Sequence, residues 1–270
     1  MIATQKIQEK EITIAKDVIS YYDNLTGEPT LFFIHGSFIN KDYWQTQLYH
    51  FSPRYRVIAV DLAGHGKSTF NGDDFTIEKF GQTIAAMINK LELKNVILIG
   101  HSIGGDIMLT TNEKSGNNII GLIGIDYFKN VGAALPDEVI NQIMNDLRNN
   151  FVNTNVAYAK NTLLTEKTDK SITERVVGDF KSISPKVGIP MNEDFFHFPQ
   201  KEETLLSKLN KRIYLVNTDY QPTNEASLEK TLKDNYQLKI IKGSSHFPMI
   251  ENPVDLNNTL ESFIEDIFKR

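Results

Sequence analysis

Ile97-Leu98-Ile99-Gly100-His101-Ser102-Ile103-Gly104-Gly105 is the stretch on which the fold turns. Val96 to Ile99 is an apolar run of the length of a buried strand. It leads directly into Gly-X-Ser-X-Gly with Ser102 at the centre, and Ile107 to Leu109 can open a helix. Strand, tight turn and helix are the context that makes this pattern a nucleophile elbow, with the serine lifted off the sheet edge. Such a turn strains the serine backbone, so its neighbours must be small. Gly100 and Gly104 meet that need, and Gly105 lets the helix approach the sheet. The Ile103 amide, at the helix start, is available to an oxyanion. On its own the pattern also fits a glycine-rich turn whose serine caps a helix. The rest of the chain decides between the two.

Working outward, further apolar runs repeat the strand signal at Thr30–Ile34, Arg56–Val60, Ile119–Ile125, Arg212–Asn217 and Gln237–Ile241. Alternating segments at Lys6–Ile14 and Val18–Tyr22 predict two antiparallel edge strands. Helical spacing of Ile77, Phe80, Ile84, Met87, Ile88 and Leu91, behind a capping Thr76, predicts a helix; Leu256, Leu260, Phe263, Ile264 and Ile267 predict another. Buried strands alternating with helices mean a parallel sheet covered on both faces. The rhythm breaks after Ile125-Asp126-Tyr127. The next segment is predicted to be helices at Pro136–Asn149, Asn155–Leu164 and Ser171–Ser182, then an aromatic and proline-rich loop from Pro185 to Pro199. Residues 128–206 are therefore expected to be a helical cap, inserted into a core of residues 1–127 and 207–270. In open α/β sheets ligands bind outside the carboxyl ends of the strands, where such an insertion would sit as a lid.

Composition narrows the class. The 270 residues carry a net charge of −5 and are 40% hydrophobic, which fits one large α/β domain and not a nucleic-acid partner. There is no cysteine, so disulfides and thiol catalysis are excluded. Met1 to Lys16 lacks the apolar core of a signal peptide, and no apolar run approaches the roughly 18 residues of a membrane span. The expectation is a cytoplasmic protein with a small-molecule substrate, no membrane partner and no cofactor.

With His35-Gly36, Gly64-His65-Gly66-Lys67-Ser68, Gly100-His101-Ser102-Ile103-Gly104-Gly105 and Ser245-His246-Phe247-Pro248 in this order, the chain resembles the lidded members of the α/β-hydrolase superfamily. The resemblance implies an eight-stranded, mostly parallel sheet, a cap after strand six, and a nucleophile–acid–histidine triad in that order. It implies that Ser102 is the nucleophile and His246 its base. It also implies that the amides of Ile103 and Ser37 form the oxyanion hole, with the Ser37 hydroxyl as an added donor. The acid departs from the usual pattern. After the seventh strand the family shows Gly-X-X-Asp, but here Val216-Asn217-Thr218-Asp219-Tyr220-Gln221 puts Gln221 in the acid's place. Asp126, in Gly124-Ile125-Asp126 at the end of strand six, is preferred, with Asp219 as the alternative.

Trp44, Phe128, Phe196 and Phe247 are candidate substrate contacts. His35, His65 and His101 are expected to hold backbone geometry, Asp61 to be structural, His50 to lie on the surface, and His197 to lie in the core or at the surface, with the lid side of a pocket as its alternative. Asp106, one turn beyond Ser102, is expected to be a carboxylate near a helix start, the alternative being that it reaches the pocket and repels anionic substrates. No histidine pair has metal-ligand spacing. The function so implied is a serine hydrolase acting through an acyl-enzyme on a small or medium apolar ester. A slow or non-catalytic receptor, and a lyase, thioesterase or carbon–carbon hydrolase, are the alternatives.

Overall fold

The computed structural model describes residues 6–269; the first five residues of the Met1–Lys16 stretch lie outside it. Eight strands form one sheet: β1 Gln8–Ile14, β2 Asp17–Asp23, β3 Thr30–Ile34, β4 Arg56–Val60, β5 Val96–His101, β6 Ile119–Ile125, β7 Ile213–Thr218 and β8 Tyr236–Ile241. Their order is β1-β2-β4-β3-β5-β6-β7-β8. β1 pairs antiparallel with β2 and β2 with β4, and every later pair is parallel. β3, β5 and β7 are buried along their whole length, as continuous apolar runs in a covered parallel sheet must be. β1, at one edge, alternates instead, with Ile12 and Ile14 turned inward.

Helices α1 Gln45–Phe51, α2 Ile77–Lys90 and α3 Gly104–Ser115 fall between the early strands. Thr76 caps α2, its hydroxyl accepting the Lys79 N–H at 3.2 Å. Between β6 and β7 run α4 Asp137–Tyr158, α5 Lys170–Ser182, α6 Pro185–His197 and α7 Pro199–Ser207. Then α8 Glu225–Leu232, the single turn α9 Pro248–Glu251, and α10 Pro253–Lys269 close the chain. α10 buries Leu256, Leu260, Phe263 and Ile264 and packs with α1, while α2 packs with α3. Among the described residues no helix is long and apolar enough to cross a membrane.

Two expectations about residues 128–206 are corrected. The two helices expected on either side of residue 150 are one helix, α4, bent where Asn150 leaves helical geometry (φ −150°, ψ 62°), and continued by a π-turn at Ala159–Leu163. The expected loop at 185–199 is helix α6. Pro185 occupies its first turn, where the missing N–H costs nothing, and the Ser184 side chain accepts the Lys186 N–H. Pro190 inside it forgoes one backbone bond, but Val187 and Met191 bury alongside, and packing overrides the local breaker signal.

Candidate active site

Ser102 stands on the turn between β5 and α3 with φ +55°. A Cβ on Gly100 would lie 2.2 Å from the Gly104 carbonyl oxygen, and one on Gly104 would lie 2.7 Å from that of Ile34. Neither position admits a side chain, which is why glycine brackets the serine. The Ser102 N–H donates to the Ile125 carbonyl at 3.1 Å, and the Gly105 N–H donates to the Ser102 carbonyl at 2.7 Å. The turn is thus tied to the end of the neighbouring strand.

His246 lies in the loop between β8 and α9. Its N–H donates to the Leu163 carbonyl at 3.0 Å, and its carbonyl accepts from His101 Nε2 at 2.7 Å. Its Nδ1 meets Asp126 Oδ2 at 2.6 Å. A proton shared with a carboxylate at Nδ1 leaves Nε2 as the ring nitrogen free to exchange one. Asp126 sits just past β6 with φ +47° and is buried. Its other oxygen accepts from the Thr218 amide at 2.8 Å, the Thr218 hydroxyl at 2.6 Å and Lys129 Nζ at 2.9 Å. Burial by itself would raise the Asp126 carboxyl. The hydrogen bond and charge of His246, with those of Lys129, outweigh it and hold the group well below the usual carboxylate range. Asp219 is elsewhere: it is exposed, and its Oδ1 accepts the Gly243 N–H at 2.9 Å.

Ser102 and His246 border two cavities. One, of about 440 Å³, also meets Asp106, Asp126, Tyr127, Lys129, Glu202 and Tyr220. The other, of about 430 Å³, is more apolar and meets Ser37, Phe38, Ile143, Leu147, Phe180 and Phe247. Leu135, Tyr158, Leu163, Phe195 and Phe196, all from the segment between β6 and β7, border both.

Residues 29–253 match the alpha/beta hydrolase fold family. The chain belongs to that family. Among solved structures it is similar to a thermophilic esterase from Thermogutta terrifontis, with a TM-score of 0.81 at 18% identity over 96% of this chain and 99% of that one. In sequence it is 37% identical over 91 residues to an (E)-2-((N-methylformamido)methylene)succinate hydrolase of Acinetobacter baylyi, 34% of each chain. It is 39% identical over 88 residues to a non-heme haloperoxidase of Rhodococcus erythropolis, 32% of each. These alignments span about a third of the length of the curated relatives.

Within this alpha/beta hydrolase frame, Ser102, His246 and Asp126 come together and Asp219 does not. Ile103 is buried in the turn before α3, and Ser37 borders the apolar cavity. Phe128 meets the polar cavity, Phe247 the apolar one and Phe196 both. Trp44 must be corrected: it is wholly buried, packed 5.1 Å from the Phe33 ring and 6.4 Å from the His101 ring, and borders neither cavity. Asp106 is corrected in the other direction, since it borders the polar cavity and is buried there.

His35 accepts the Leu62 N–H at Nε2 (3.0 Å) while Nδ1 bonds the Gly36 carbonyl (2.7 Å), so one neutral ring pins two loops. Burial pushes it down to about 4, and His65, whose ring lies tilted 5.2 Å away, to about 3. Asp61 is structural, accepting from the Lys41 amide and ammonium. His50 bonds Glu261 at 3.1 Å, and exposed His197 bonds the Glu193 carbonyl. Among the described residues no group of His, Asp or Glu side chains is arranged to hold a metal. Lys129, Thr218, Tyr220, Glu202 and the tether from His101 were missed in the sequence. Thr218 left a trace: it stands where the family pattern has glycine.

Proposed function

We propose that the chain is a serine hydrolase that cleaves an ester-type bond through an acyl-enzyme. The observation that carries this is the 2.6 Å bond from His246 to a buried Asp126, beside a serine held at positive φ on a strand-to-helix turn. Ser102 Oγ attacks the acyl carbon as His246 Nε2 takes its proton, and Asp126 stabilises the imidazolium that forms. The amides of Ile103 and Ser37 receive the oxyanion. Collapse of the intermediate expels the alcohol, which leaves with the proton from His246. Water, deprotonated by the same nitrogen, then attacks the acyl carbon and restores Ser102. Residues 128–206 act as a cap over the sheet edge, in keeping with the five residues of that segment that border both cavities. The apolar cavity suits the hydrocarbon part of the substrate.

The test is turnover of p-nitrophenyl butyrate together with labelling by a fluorophosphonate. Wild type should turn over and label; Ser102→Ala should do neither, and His246→Ala should lose both by several orders of magnitude. Equal labelling of all three proteins would refute the assignment.

A further inference from the structure

The polar cavity contains a feature that the proposed chemistry does not use. Asp106 is 1% exposed and borders the cavity one helical turn beyond Ser102. Its Oδ2 accepts the Tyr127 hydroxyl, whereas its Oδ1 has no conventional donor. Glu202, from α7 and also buried, lies within hydrogen-bonding reach of Asp106, which requires one of the two carboxyls to carry the proton. Burial raises both groups, Glu202 to about 7, and the neighbouring charge of Glu202 raises Asp106 further, while the bond to Asp106 lowers Glu202. Once the pH rises through about 7 the pair keeps one shared proton and bears one negative charge.

Among the described residues neither Asp106 nor Glu202 is ion-paired with a lysine or arginine. Asp194 and Glu203 add to the negative potential. Lys129, the one lysine bordering the cavity among the described residues, is already engaged by Asp126 and by the carbonyls of Thr218 and Gln221. The rings of Tyr127, Tyr158, Phe196 and Phe198 also border the cavity and offer π faces. Gly105 makes the arrangement possible, because a Cβ there would lie 2.7 Å from the Tyr127 ring.

We propose that Asp106, Glu202 and Tyr127 form a specificity subsite for an ammonium group, so that the substrate carries an amine on one side of the scissile bond and an apolar chain on the other. The assignment of a scissile bond rests on the serine hydrolase proposal; binding of the amine does not. One cation meets the carboxyl pair, the Tyr127 hydroxyl oxygen as a further acceptor and aromatic walls, at a site a single helical turn from the nucleophile.

The test compares esters of equal chain length ending in a primary ammonium, a hydroxyl or a methyl group, placed on the acyl side in one series and on the alcohol side in the other. In one series the ammonium ester should exceed both neutral ones in kcat/KM by about tenfold or more. That ratio should collapse toward unity in Asp106→Asn and, independently, in Glu202→Gln; a ratio cancels any loss of activity common to all substrates. A methyl or hydroxyl ester at least as good in both series, or a ratio unchanged in both variants, would overturn the subsite while leaving the hydrolase intact. Calorimetric titration of Ser102→Ala with n-hexylammonium needs no turnover. Saturable binding, weakened about tenfold by adding Asp106→Asn, supports the subsite even if no ester is cleaved. Absence of binding refutes it.

Discussion

The loops that leave β6 and β7 each carry an aspartate at the same edge of the sheet, yet the two residues live in different physical worlds. Asp126 is buried, grips His246 at 2.6 Å and receives three further donors from Thr218 and Lys129. Asp219, at the end of the adjacent strand, is exposed and braces the Gly243 turn through one main-chain bond. The difference teaches that a carboxylate's usefulness as an acid partner comes from its surroundings. Enclosure makes each bond strong, and a full set of donors keeps the group charged inside that enclosure.

The sharpest way to break this contrast is to neutralise each aspartate in turn. Asp126→Asn should lower kcat for p-nitrophenyl butyrate by roughly 10⁴-fold, since the amide favours the wrong histidine tautomer. Asp219→Asn should stay within about twofold, as surface substitutions usually do. Equal effects would dissolve the distinction. A smaller effect tests the donors. Thr218→Val keeps the amide bond and removes the hydroxyl, and Lys129→Met removes the ammonium; each should cost about 10- to 100-fold in kcat/KM, the worth of a hydrogen bond to a charged group.

The buried titratable groups make stability depend on pH. Asp126 is held below the 3.8 of a free carboxyl, so its contribution is present above that pH and lost as pH falls through it. The buried His35, lowered from 6.5 to about 4, likewise contributes above pH 6.5 and is lost as pH drops toward 4. Glu202 runs the opposite way. Raised from 4.5 to about 7, it contributes fully below pH 4.5 and loses that contribution as pH rises through 7. Urea midpoints measured from pH 3.5 to 8 should therefore fall at both ends. Glu202→Gln should flatten the alkaline side. The smallest expected effect is on stability at neutral pH, where Asp219→Ala should cost no more than about 1 kcal/mol, against several for the loss of a buried, fully bonded charge.

The sheet was legible because its strands are apolar runs bounded by turns, and Thr30–Ile34 or Ile119–Ile125 admit little else. Ser102 and His246 were legible because the elbow's glycines and the last loop's position carry steric meaning. The choice between Asp126 and Asp219 was not, because burial and donor count are properties of the folded surroundings. Thr218 looked like a defect in a pattern and is instead a double donor to Asp126. Pro190 looked like a helix breaker until Val187 and Met191 buried around it. Trp44 looked like a pocket wall because a large ring near the site signals area and not direction. Asp106 was read from its helix position alone, and only the distant Glu202 and Tyr127 give it company.

The main-chain bond from His246 to Leu163 links readiness to access. Leu163 closes the π-turn that follows α4, so the imidazole loop is moored partly to the sheet and partly to the segment between β6 and β7. If that segment caps the site as proposed and swings aside for a ligand, the mooring would part and the imidazole would slacken; its return would tighten both together. Entry and reactivity would then alternate, and a bond could be cut only behind a closed door.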